Sequence, residues 1–177
     1  MDRFLDLTVS GEPAPGGGAA AAVAVSLAAA LSGMAARLST GQLSDAAGLL
    51  KRAEELRERA APLAQADADA YERVIEAQRE RGDVRGALAA AADVPLEVAV
   101  VGTEVATLAA RLVEEGNPNL RGDALAAVLL AEAGTRAAVS LVEINLSAAG
   151  AGDGRLDHAR KLAESAAAAR IAAGGGT

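Results

Sequence analysis

From Pro13 to Ala36 the chain carries no charged side chain, a run of 24 residues. The run opens on Pro13-Ala14-Pro15-Gly16-Gly17-Gly18, which leaves about 19 residues for a helix. Those residues are mostly Ala, Gly and Ser, so the helix approaches the length of a bilayer span without a strong drive into lipid. A helix without a polar face must bury its whole circumference. The run therefore predicts a central helix enclosed by others in a soluble bundle, and no membrane partner is expected.

The rest of the chain fits such a bundle. Alanine supplies 48 of the 177 residues, and Phe4 and Tyr71 are the only aromatics. Alanine is the best helix former, and its small side chain lets helix axes approach closely. A sheet would draw instead on β-branched and aromatic residues. The expected class is all-α, a single domain over 1–177 with about six helices, several long and proline-kinked. Helical patterns cover 2–9, 18–39, 44–81, 84–116, 122–149 and 155–173, with Ser44 as an N-cap. Pro62 and Pro95 lie inside two of them and should kink or divide them, since proline lacks an N–H and clashes with the preceding turn.

Charge and residue inventory exclude several chemistries. With 24 acidic against 17 basic residues the net charge is −7, the wrong sign for a nucleic-acid partner. There is no cysteine and one histidine, His158, so thiolate nucleophiles, iron–sulfur clusters and paired Glu-x-x-His di-metal sites are ruled out. No metal is expected, and His158, on the last amphipathic helix, reads as a surface residue. Asp2, Asp6 and Glu12 offset Arg3 at the N-terminus, so no secretory leader is expected and the chain is placed in the cytoplasm.

Three segments could carry chemistry. Pro15-Gly16-Gly17-Gly18 runs into the uncharged helix, whose first N–H groups and macrodipole favour an anion. The same glycines could serve only to let that helix dock. Gly116-Asn117-Pro118-Asn119-Leu120-Arg121-Gly122-Asp123 puts Asp123 where an N-cap would stand and the two asparagines in a turn. Asp123 could be cap and catalyst together. Asp67 and Tyr71, at i and i+4, share one helical face. The sole tyrosine there either lines a pocket or fills the core with its hydroxyl at the rim.

Together these segments resemble the cyclodeaminase/cyclohydrolase family. Phe4-Leu5-Asp6 followed by PAPGGGAAAAVAVSLAAALSGMAARLS is similar to the family's F-L-x-x-L…P-T-P-G-G-G-[SA], with Ala14 in place of Thr. Asp67-Ala68-x-Ala70-Tyr71 resembles D-A-x-A-[FY]. Gly116-Asn117…Arg121-Gly122-Asp123 resembles G-N…[KR]-S-D, with Gly122 where Ser is usual, and Val142-x-Ile144-Asn145-Leu146 resembles V-x-I-N-L. The Val94-Pro95-Leu96 kink has a counterpart too.

The resemblance implies an all-helical, homodimeric folate enzyme with no cofactor beyond its tetrahydrofolate substrate. It implies Asp123 as the acid/base group, and Pro15, Gly16, Gly17, Gly18, Asp67, Tyr71, Asn117, Arg121 and Asn145 as substrate-binding residues. The implied reaction is hydrolysis of 5,10-methenyltetrahydrofolate to 10-formyltetrahydrofolate. The alternatives are a formiminotetrahydrofolate cyclodeaminase and a non-catalytic folate-binding or scaffold bundle. No formiminotransferase segment is present in the 177 residues, which leans the reading to the cyclohydrolase. Asp123 and Asn145 stand 22 residues apart on one helix, about 33 Å, so only a two-fold partner with antiparallel helices would bring them to one site.

Overall fold

The computed structural model describes residues 2–12 and 14–174, and among them there is no strand. The helices are α1 (Asp2–Val9), α2 (Gly17–Arg37), α3 (Ala46–Ala60), α4 (Leu63–Arg79), α5 (Val84–Ala91), α6 (Asp93–Glu115), α7 (Arg121–Ala149) and α8 (Arg155–Gly174), with a 3₁₀ turn at Pro118–Leu120. The six expected segments thus become eight helices because two of them are divided.

Pro62 makes the first division, ending α3 and standing as the N-cap of α4. The second lies earlier than the sequence suggests. The chain breaks at Ala92, and Pro95 falls in the first turn of α6, where its missing N–H has no intrahelical partner to lose. Ser44 is not a cap either. Helix α3 begins one residue later than expected, after Asp45, whose carboxylate is held by Arg111 of α6 at 2.7 and 3.1 Å. Helix α7 stops at Gly150, which adopts φ +66. There the N–H of Ala151 reaches back to the Leu146 carbonyl at 3.0 Å, the six-residue closure that glycine in this conformation permits.

The uncharged helix α2 is central but not enclosed all round as its composition suggests: Leu27 is 44% and Met34 38% exposed, and Ala20 and Ala30 lie on the same open side. It packs against α3, α6 and α7, and Val25, Ala28 and Ala36 are fully buried. Small residues set the spacing. A Cβ on Gly134 of α7 would stand 2.8 Å from Val25 Cγ2 and 3.1 Å from the Ala21 carbonyl, and one on Gly102 of α6 would meet Thr135 Oγ1 at 2.3 Å. The side chains of Val25 and Thr135 occupy the space a Cβ would need at these glycines, so the three helices approach more closely there than larger residues would allow. Buried Ser32, Ser39 and Thr135 each donate to the carbonyl four residues earlier, at 2.7 to 2.9 Å, so the core holds their hydroxyls satisfied. Helix α8 closes α6 and α7 with Ala159, Ala166 and Ala173, one buried alanine every seven residues.

Helices α2 and α7 are both long and apolar enough to cross a bilayer by length and composition. In this fold both give their buried positions to the shared core. They run antiparallel: the α2 C-terminus meets the turn before α7 through Asn117 and Leu38, and the α2 N-terminus meets the far end of α7 at Asn145. Helix α1 has no fully buried residue; Phe4 is half-buried and the rest of the helix is exposed.

Candidate active site

At the N-terminal end of α2 the packing leaves a cavity of about 330 Å³. Its walls are Ala14 and Gly16 to Gly18 from the turn into α2, Asp67, Ala70 and Tyr71 from α4, Ala91 from α5, and Leu141, Ile144 and Asn145 from α7. The i, i+4 spacing of Asp67 and Tyr71 puts both side chains on the face of α4 that closes this cavity. Tyr71 is 49% exposed, so it is a wall and not a core filler.

The α2 N-terminus supplies the anion preference expected of it, and the chain itself provides the anion. Gly16, at the N-cap, has no side chain to offer, and the Ala19 N–H instead donates to the Asp67 carboxylate. The carboxylate lies so close that a Cβ on Gly18 would stand 2.0 Å from its Oδ1. Burial raises the pKa of Asp67 above the usual carboxylate value, partly countered by the Ala19 hydrogen bond. Gly17 differs from its neighbour, since a Cβ there would meet nothing within 4 Å. On the opposite wall Asn145 Nδ2 donates to the Ala91 carbonyl at 3.2 Å, which fixes the amide in place.

Among the lining residues Asp67 and Tyr71 are the only ionisable side chains, and there is no Lys, Arg or His. The cavity therefore presents a half-buried negative charge with no protein cation beside it. Such a site takes a ligand that brings its own positive charge.

Of the ten residues singled out from the sequence, Gly16, Gly17, Gly18, Asp67, Tyr71 and Asn145 line this cavity. Pro15, joined to Ala14 by a cis peptide bond, stands between two lining residues; its neighbour Pro13 lies outside the described residues. Asn117, Arg121 and Asp123 are at the other end of α7. Asn117 is engaged there in structure: its N–H donates to Ser39 Oγ at 2.9 Å, Nδ2 donates to the Leu38 carbonyl at 3.0 Å, and Oδ1 accepts from Asn119 N–H at 3.0 Å. Arg121 and Asp123 are half-buried. Asp123 is not the N-cap. Leu120 holds that position, and Asp123 lies in the first turn of α7, where its charge meets the helix dipole. His158 is exposed. Sequence reading missed Ala91 and Leu141, which enter the cavity through packing and carry no chemical signature.

A second hollow of about 390 Å³ lies between α2 and α3, floored by Ala29, Ala30, Gly33 and Ala53 beside Met34, with Arg37, Glu54 and Arg57 at its rim. It contains none of the residues singled out above. Among the described residues no cluster of three or more metal-binding side chains occurs.

Residues 1–153 match the family described as formiminotransferase-cyclodeaminase. The chain is 34% identical over 162 residues to a methenyltetrahydrofolate cyclohydrolase of Methylorubrum extorquens, an alignment covering 82% of this chain and 78% of that one. It superposes with a TM-score of 0.90 on the crystal structure of formiminotetrahydrofolate cyclodeaminase from Thermotoga maritima, at 28% identity, over 98% of this chain and 92% of the other.

Proposed function

The chain belongs to the formiminotransferase-cyclodeaminase family, and we propose that within it this member hydrolyses 5,10-methenyltetrahydrofolate to 10-formyltetrahydrofolate. It is a folate one-carbon enzyme. The observation that carries a cationic folate as substrate is the cavity's charge: one half-buried carboxylate, Asp67, and no basic side chain; the formimino group of the alternative substrate is an amidine that brings the same charge, and the preference for the methenyl compound is supported by the 34% identity to a methenyltetrahydrofolate cyclohydrolase. The methenyl carbon sits between N5 and N10 in an amidinium-like cation, which supplies the missing positive charge. Tyr71 offers a ring face for the flat pterin, and Asn145 offers a fixed amide for its polar edge.

The chemistry is an addition followed by a cleavage. Water oxygen bonds to the methenyl carbon and a proton leaves, giving a neutral tetrahedral carbon. The carbon–N5 bond then breaks, N5 takes up the hydroxyl proton, and the formyl group stays on N10. One proton is released overall. A carboxylate beside the cation stabilises it and accepts the proton.

Asp123 is the proton-transfer group in this reading, and it reaches the cavity only from a second copy. The exposed side of α2 from Ala20 to Met34, including Leu27 and Ala30, is uncharged, and Leu129, Ala133, Ala137 and Ile144 extend it along α7. A two-fold axis across this face sets the α7 helices antiparallel and brings Asp123, with Arg121, toward the partner's Gly16–Asn145 cavity. The assembly is thus a homodimer with two shared sites.

The test is loss of methenyltetrahydrofolate absorbance, measured against the uncatalysed rate, alongside ammonia release from formiminotetrahydrofolate. Methenyl hydrolysis without ammonia release is the expected result. Ammonia release as the faster reaction would make the protein a cyclodeaminase. Tight folate binding without either reaction would make it a binding protein.

A further inference from the structure

The break between α5 and α6 gives one carbonyl of the cavity wall an unusual partner. In a continuous helix the Ala91 carbonyl would accept from the N–H four residues on. That residue is Pro95, which has no N–H. The Asn145 side chain takes the vacant place, with Nδ2 donating to the Ala91 carbonyl at 3.2 Å. A carbonyl only accepts, so the amide nitrogen must face Ala91 and the amide oxygen must face away. Among the described residues no donor engages Asn145 Oδ1, and no side-chain polar atom is buried without a partner. Oδ1 is therefore open, on a residue that lines the cavity.

A second side chain holds the same stretch. Arg155, the first residue of α8, donates from Nη1 to the Ala89 carbonyl at 2.7 Å and to Asp93 Oδ1 at 2.6 Å. Residues 89 and 93 flank Ala91 by two positions on either side, so one guanidinium bridges the last turn of α5 to the first turn of α6. Arginine suits the end of α5, where carbonyls lack helical donors. Its Nε and Nη2 go to Asp153 at 2.7 to 3.0 Å. The planar fork is thus held on both edges, and it fixes the Ala91 peptide in space.

We infer that Pro95 and Arg155 are positioning residues for the substrate, acting through Asn145. Pro95 leaves the Ala91 carbonyl free, Arg155 sets where that carbonyl stands, and the carbonyl turns the Asn145 amide so that Oδ1 offers an acceptor to the cavity. The group that Oδ1 takes is an N–H donor. A folate carries such donors on its pterin, at N3 and the 2-amino group, remote from the methenyl carbon; this naming of the ligand rests on the folate reading above. An amide released from Ala91 can turn its nitrogen to the cavity, where donor would meet donor.

Pro95→Ala restores an N–H opposite the Ala91 carbonyl and so competes with Asn145. It should raise KM for methenyltetrahydrofolate about 3- to 10-fold, as loss of one neutral hydrogen bond does, and change kcat by less than about twofold. Arg155→Met, which keeps the stem and removes the donors, should act in the same direction. Neither substitution should raise KM further in Asn145→Ala protein, because both act through that amide. The geometry is read without substrate as well. With three asparagines and three glutamines in the chain, the side-chain amides resolve in a heteronuclear spectrum, and the Asn145 pair is assigned by its loss in Asn145→Ala. One Asn145 amide proton should exchange with water more slowly than its twin in the wild type, and the two should exchange alike in Pro95→Ala. Twin protons that already exchange alike in the wild type overturn the inference. So does a KM rise from Pro95→Ala that persists undiminished in Asn145→Ala, which is the mark of a packing role alone. A wild type with neither folate reaction overturns the folate reading instead, and the amide spectra then decide the positioning by themselves.

Discussion

Gly18→Ala tests the geometry of the cavity directly. The new Cβ would fall 2.0 Å from Oδ1, 2.4 Å from Cγ and 2.6 Å from Oδ2 of Asp67, so the carboxylate has to leave its place. Its hydrogen bond from Ala19 N–H goes with it. A hydrogen bond to a charged group contributes about 1.5–3 kcal/mol, and alanine regains up to about 1 kcal/mol of helix propensity over glycine. Moving the carboxylate outward also relieves the burial that raises its pKa, so the net destabilisation is at most about 2 kcal/mol, a fall of no more than a few degrees in melting temperature for a chain of this length. The displaced charge also stops facing the bound cation, which should raise KM for methenyltetrahydrofolate by about 10- to 100-fold if one charge-assisted contact is lost. Gly17→Ala is the control, because its Cβ meets nothing within 4 Å. It should match or exceed wild-type stability and lose affinity only where substrate occupies that space. Thermal unfolding and initial rates over a range of substrate concentrations read both quantities. A Gly18→Ala protein with wild-type melting temperature and wild-type KM would refute the placement of Asp67 as the cation's partner.

Three further outcomes are expected. Burial raises the Asp67 pKa, so the folded state binds this proton more tightly than the unfolded chain does, and stability falls as pH rises from the ordinary carboxylate value near 3.8 through the raised one; Asp67→Asn, which keeps an acceptor for Ala19, should flatten that part of the melting-temperature profile. Asp123→Asn should lower turnover by about 10²–10⁴-fold with the fold intact, while Asp123→Ala adds a stability loss of about 0.3–1 kcal/mol from the first turn of α7; an Asp123→Asn protein with full turnover would leave this residue a helix-dipole partner only. Gly122→Ser enters open space, so it should leave the melting temperature within about a degree or two and lower KM if a hydroxyl there holds substrate, as initial rates will show.

The helices were legible because their signals are local. An uncharged alanine run, proline interruptions and Gly150 after the last apolar turn each act within a few residues of where they stand. The break at Ala92 was less legible, since Pro95 is compatible with a kink in a helix or with the first turn of a new one, and tertiary packing selects the second. The site divided along the same line. Asp67 and Tyr71 were readable as a pair because i, i+4 spacing fixes their common face, but nothing local announces that this face meets Gly18 of a helix 49 residues away. The structural work of Asn117 was readable as a turn, whereas its anchoring to Leu38 and Ser39 depends on α2 and α7 running antiparallel.

That antiparallel pairing also explains why one chain can build the binding wall and still place Asp123 out of reach. Helix α2 carries no charge before Arg37, so the field at its N-terminus is set by its own dipole and by Asp67, with no side chain of the helix to compete. The Ala19 N–H at the helix end favours the ionised carboxylate, and burial, the larger effect, disfavours it. The two effects oppose each other in the pKa of Asp67 and act together on a ligand, because a poorly hydrated carboxylate gains more from a cation than a hydrated one does. A lysine or arginine on the first turns of α2 would cancel that preference. If the cavity takes a cationic substrate, the absence of charge on α2 is therefore also part of that preference, and Ala20→Lys, at an exposed position one turn from Gly16, should raise KM for methenyltetrahydrofolate in protein shown by sedimentation to keep the wild-type assembly; an unchanged KM in that protein would show that the charge of α2 plays no part in substrate choice.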